Sequence, residues 1–175
     1  MKQLIKSLVL FYLCLLTVNK CYSQDSIKCN QAVFNDTLLD KLNGNWMAVG
    51  TVASDKVVYS FSNKWVLNHQ FLELSFADTA AKPEYSAHVY IGFDCEKHQY
   101  IVHWIDNFGG PFSETLGYGT QKGQSIELLF KYPMGTLINT FSYDQQNKQW
   151  TSHAVTRDES SNWIAFGHLV LKPLQ

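Results

Sequence analysis

Arginine occurs once in this chain, at position 157, and its 14 basic residues are slightly outnumbered by 15 acidic ones. Three of the lysines fall in the first 23 residues, which carry no acid, so the remainder moves from a formal charge of −1 to −4. A nucleic-acid partner requires a basic face, and this balance excludes that class of function. Cysteine is also scarce. Of four, Cys14 and Cys21 lie in the first 23 residues, which leaves Cys29 and Cys95. No His-x-His pair and no tight His/Cys cluster occurs, which removes a dedicated structural metal site. There is no Gly-x-Ser-x-Gly elbow, phosphate loop or dinucleotide fingerprint, so the common nucleophilic and nucleotide chemistries lack support. After Gly44 no stretch keeps a helical period, which argues against a helical or α/β domain.

Long apolar runs are missing too, with one partial exception. Residues 8–17 are apolar, but Asn19 and Lys20 stop the run short of the ~20 residues needed to cross a bilayer. Lys2 and Lys6 precede it, and Cys21-Tyr22-Ser23 precedes Gln24. That pattern predicts a secretory signal peptide at 1–23, export to the periplasm or the outside, and no stable membrane span after cleavage. Roughly 150 residues remain, enough for one domain with one core. In an oxidising compartment the remaining pair, Cys29 and Cys95, is a disulfide candidate, with two unrelated thiols as the alternative.

Residues 24–34 are polar and read as an extended lead-in to a domain at 35–175. Asn35 or Asp36 is placed to cap a helix of about two turns carrying Leu38, Leu39 and Leu42 on one face, with Lys41 in its last turn and Gly44 as its stop. From Trp46 onward, runs rich in Val, Ile, Thr, Tyr, Phe and Trp recur between Gly, Pro, Asn and Asp. They predict ten strands, at 46–53, 56–65, 71–77, 85–93, 99–106, 114–120, 125–131, 136–143, 149–156 and 163–171. Short turns join antiparallel neighbours, so chain order predicts sheet order. Ten meandering strands avoid exposed edges most simply by closing into an up-and-down barrel, and the expected fold is all-β. Such a barrel is wide enough inside for a small ligand, and an aromatic content of 14% suits either a lined cavity or a large core.

The segment Leu39-Asp40-Lys41-Leu42-Asn43-Gly44-Asn45-Trp46 runs from a short helix into Gly-x-Trp at the head of the first strand. It resembles the opening of calycin-type barrels, the superfamily of lipocalins, fatty-acid-binding proteins and nitrobindin-like haem proteins. Residues 65–73 (WVLNHQFLE), then Ile91-Gly92-Phe93-Asp94, then Tyr100, Trp104 and Asp106 are similar to a bacterial family of calycin-like barrel domains with no assigned function. The chain departs from that family by placing His69 in the turn after Trp65. The resemblance implies the barrel over nearly the whole exported chain and implies little chemistry. It also suggests a structural pair, Trp46 with Arg157, since an arginine stacked on the opening tryptophan is a calycin arrangement. His153 or His168, on the last two strands, resembles the position of a nitrobindin-like axial haem ligand, which makes haem a candidate cofactor.

In the hairpin of residues 90–111, alternation separates Ala87, Val89, Ile91 and Phe93 from His88, Tyr90 and Gly92. On its second strand Tyr100, Val102, Trp104 and Asp106 oppose Ile101, His103 and Ile105. Neither strand has a plainly polar face, so alternation alone leaves the inward side open. Asp106 ends its strand beside Asn107-Phe108-Gly109-Gly110-Pro111, where a carboxylate serves either as a ligand contact or general base, or as a bond to its own turn backbone. Gly117 and Gly119, inside a strand pattern, read as a bend or a close-packing site. The expected function is a monomeric or weakly dimeric binder of a small apolar or amphipathic molecule, with Trp65, His88, Tyr90, Trp104 and Asp106 as candidate lining residues. The alternatives are an isomerase or lyase using Asp106 with His88 or His103 as acid and base, and an interaction protein with a filled core.

Overall fold

A computed structural model of the chain describes residues 34–158 and 160–174. The chain divides into two units, residues 1–32 and 33–175, and the described residues belong to the second. The expected signal peptide at 1–23, the expected lead-in as far as residue 33, and Cys29 lie outside them.

Ten strands are present: β1 (Gly44–Val52), β2 (Asp55–Val66), β3 (Phe71–Asp78), β4 (Ser86–Asp94), β5 (Gln99–Asp106), β6 (Leu116–Lys122), β7 (Ser125–Tyr132), β8 (Gly135–Asp144), β9 (Gln149–Arg157) and β10 (Trp163–Pro173). They match the ten expected from sequence. Each pairs antiparallel with its chain neighbours, and β1 returns onto β10 through Trp46↔Pro173 to Val52↔Gly167. The sheet is therefore a closed barrel without free edges. No helix among the described residues is long and apolar enough to cross a membrane.

Where a two-turn helix is expected before β1, the chain forms a single 3₁₀ turn, Leu39–Lys41. Asp36 Oδ1 starts it by accepting the backbone N–H groups of Leu38 and Leu39 at 2.8 and 2.9 Å. It goes no further because Gly44 already belongs to β1, and side chains of the barrel take the last carbonyls. Trp46 Nε1 and Asn63 Nδ2 both donate to Leu42 O at 2.8 Å, and Trp150 Nε1 donates to Lys41 O at 3.2 Å.

Packing settles the face that alternation leaves open. Ala87, Val89, Ile91, Tyr100 and Val102 are buried with the core, so Trp104 and Asp106, at the same parity, also face inward. The outer face looks apolar in sequence because the barrel covers part of it with its own side chains. Phe71 lies over Gly92, where an added Cβ would come within 2.5 Å of the ring. On the inner wall Gly117 and Gly119 are bare so that Phe130 and Leu128 pack onto β6, with an added Cβ only 2.4 and 2.5 Å from those side chains. That is the close-packing role the Gly-x-Gly spacing suggests.

Candidate ligand site at the open end of the barrel

The two ends of the barrel differ. At the end where β1 begins, Leu38, Leu39 and Leu42 are almost fully buried and form a plug. Beyond the bonds from Trp46, Asn63 and Trp150, Trp65 Nε1 donates to Asp40 Oδ1 at 2.9 Å, and the Tyr100 hydroxyl donates to Asp36 Oδ2. Phe34 packs on Trp65, Phe93 and Tyr100, and His69 Nδ1 donates to the Phe34 carbonyl at 2.9 Å while its ring stacks on Trp65. Three consecutive left-handed residues, Leu67, Asn68 and His69, turn the chain tightly enough to bring that ring back.

At the opposite end no such plug occurs among the described residues, and inward side chains such as Val52, Val57, Trp104 and Leu137 are only partly buried. The wall also opens there. Pairing between β5 and β6 stops at His103↔Leu116, so Trp104, Ile105 and Asp106 have no partner on β6. Residues 107–115 bridge the gap and include one helical turn, α1 (Gly110–Ser113). His103 holds that turn from outside, its Nε2 donating to Ser113 O at 2.8 Å.

A polar chain lies inside this gap. Trp104 Nε1 donates to the Tyr85 hydroxyl at 2.9 Å, and that hydroxyl donates to Asp106 Oδ2 at 3.3 Å. Asp106 Oδ1 accepts the Phe108 N–H at 3.0 Å, so the carboxylate both forms its turn and reaches into the barrel mouth. Tyr85 packs against Tyr59, Phe76 and Phe108, while Trp104 contacts Phe76 and Phe130 edge-on. Burial pushes the Tyr85 phenol well above its ordinary range, and the nearby Asp106 charge adds to the shift. Tyr132 is pushed up to about 12 by burial and then by the same charge. Asp106 thus sits against aromatic side chains at the partly exposed mouth.

Of the five expected lining residues, the fold brings together Trp104 and Asp106. Trp65 shares their inward parity but lies at the plugged end, bonded to Asp40. His88 and Tyr90 point outward, because β4 turns Ala87, Val89 and Ile91 inward. Both bond Glu73 Oε1 on the outer wall, at 3.0 and 3.1 Å, and Lys64 approaches the same carboxylate at 3.5 Å. Asp106 and either His88 or His103 therefore face opposite sides of the sheet, and no acid–base pair converges. Trp46 and Arg157 do not pair: Trp46 bonds Leu42 at the plugged end, whereas Arg157 ends β9 at the mouth and lies over Trp163 at 4.7 Å. His153 and His168 are cross-strand neighbours, ring centroids 6.1 Å apart, and both are exposed on the outer wall. An interior haem is out of their reach. Cys95 lies in the β4–β5 turn. Tyr85, Phe108 and Tyr132 were not singled out by sequence, although Tyr85 has the parity of Ala87, whose partner across the hairpin is Asp106.

These features define a class: a ten-stranded antiparallel barrel, plugged at one end by its own N-terminal turn and lined by aromatics around a carboxylate at the other. The chain belongs to the family described as protein of unknown function (DUF1579), whose model matches residues 35–156, from the plug through most of β9. No curated protein matches the chain.

Proposed function

We propose that this protein is an exported, calycin-like barrel that takes a small apolar or amphipathic molecule into its interior through the end where Asp106 lies. One observation carries the reading, namely the asymmetry of the ends. Buried leucines and six side-chain donors, from Trp46, Asn63, Trp65, His69, Tyr100 and Trp150, close one, whereas the other ends in partly exposed aromatic walls with an unpaired stretch of β5. A protein needing only a packed core gains nothing from leaving inward aromatic surface beside water. The chain acts as a monomer or weak dimer, since its strands pair with one another all the way round and leave only short stretches, such as the last three residues of β5, unpaired on one side. Export goes with a Cys29–Cys95 bridge. Phe34, five residues after Cys29, packs on Phe93 and Tyr100, which flank the turn holding Cys95, and five residues reach up to about 17 Å.

Native mass spectrometry of protein purified from its source tests the ligand reading, with saturable uptake of the neutral apolar dye N-phenyl-1-naphthylamine as a second measurement. A co-purified small molecule, or dye displaced by an apolar competitor, is the expected result. A ligand-free mass together with no dye uptake sinks it.

A further inference from the structure

The charge inventory of the inner wall narrows the class of ligand. Along all ten strands, positions of inward parity carry no lysine, arginine or histidine among the described residues. The charged residues at that parity, Asp55, Asp78 and Asp106, all lie at the mouth. Asp55 is exposed at the head of β2. Asp78 is consumed by its own loop, accepting the N–H groups of Ala80, Glu84 and Tyr85. Asp106 keeps one oxygen that meets only the Tyr85 hydroxyl, at a long 3.3 Å. The cations nearby face elsewhere: Lys56 and Lys131 have outward parity, Lys82 lies in the exposed β3–β4 loop, and Arg157 is held on Trp163.

The inward strand positions thus carry carboxylates and no cations among the described residues. An anionic head such as a fatty-acid carboxylate would meet Asp106 with nothing to neutralise it. A cation would meet that carboxylate beside the aromatic side chains of Tyr85, Trp104 and Phe108, with Tyr132 near enough to feel its charge, and aromatic neighbours attract ammonium groups.

Building on the ligand-binding reading above, we propose that the ligand is an amphipathic amine, an apolar body bearing a protonated or quaternary ammonium head that seats at Asp106. The test uses three probes with one tail, each below its micelle concentration: dodecyltrimethylammonium, dodecanol and dodecanoate, titrated into the purified protein by calorimetry and tryptophan fluorescence. The ammonium should bind about tenfold tighter than the alcohol, with the carboxylate weakest. Asp106→Asn, which keeps the shape, should erase the preference, whereas Glu96→Gln, in the exposed turn at the plugged end, should keep it. Equal or tighter binding of dodecanoate overturns the proposal from wild-type protein alone, whatever the fate of the variant. So does an ammonium preference that survives in a folded Asp106→Asn protein. No binding by any of the three sinks the ligand-binding reading itself.

Discussion

The Tyr100 hydroxyl on β5 donates to Asp36 Oδ2, the same carboxylate whose other oxygen starts the 3₁₀ turn. One aspartate thereby ties the plug to the barrel wall and holds the plug's first two N–H groups. Asp36→Ala removes the cap and leaves the buried Tyr100 phenol only Gln121 Oε1, at 3.3 Å, as an acceptor, and should lower stability by about 2 kcal/mol. Tyr100→Phe removes only the hydroxyl and should cost about 1 kcal/mol. Urea unfolding of both variants and the double variant gives the coupling. Strict additivity would mean that the two groups do not act on each other.

At the seam that closes the barrel, β1 and β10 approach too closely for a side chain at Gly50. A Cβ there would lie 1.9 Å from the His168 carbonyl oxygen, which is backbone and moves only if the strands do. Gly50→Ala should destabilise the protein by about 1–3 kcal/mol. Gly110→Ala, where nothing lies within 4 Å, should stay within about 0.5 kcal/mol. Equal melting temperatures for the two variants would show that the seam accommodates the methyl group.

The strands were legible in the sequence because each is a run rich in β-branched and aromatic residues that ends at a turn former, and their order followed from turns too short for crossovers. The inward face was not legible. Its signal is the contrast between apolar and polar sides, and this barrel blurs it by covering Gly92 with Phe71 and by tying His88, Tyr90 and Lys64 to Glu73 on the outside. Which end a residue occupies also escaped local reading, since strand direction decides it. Trp46 starts β1 at the plug, whereas Arg157 ends β9 at the mouth. Tyr85 was missed for a related reason, because its partners Trp104 and Asp106 come from the next strand, 19 and 21 residues later.

A Cys29–Cys95 bridge would close a loop long enough to stabilise the fold by about 4 kcal/mol in the chain-entropy picture. Intact mass after alkylation, with and without reductant, should show both thiols protected in native oxidised protein. Reduction should then lower the urea midpoint. Two thiols alkylated without reductant would end the assignment.

The mouth carries its own pH signature. Burial, and then the Asp106 charge, push the Tyr132 phenol up to about 12 from the ordinary 10 by disfavouring phenolate. Between pH 10 and 12 the unfolded chain therefore holds fewer protons than the folded one, so stability falls as pH rises through that window and is intact below it. Tyr59, Tyr85, Tyr90 and Tyr100 are shifted in the same direction and reinforce the loss. Urea midpoints should drop steeply above pH 10, while phenolate absorbance shows a late-titrating group. Asp106→Asn removes the smaller of the two causes at Tyr132, so its midpoint should move back toward 10 without reaching it. A titration left unchanged by that substitution would show that the carboxylate does not face Tyr132, and with it the mouth described here would lose its central charge.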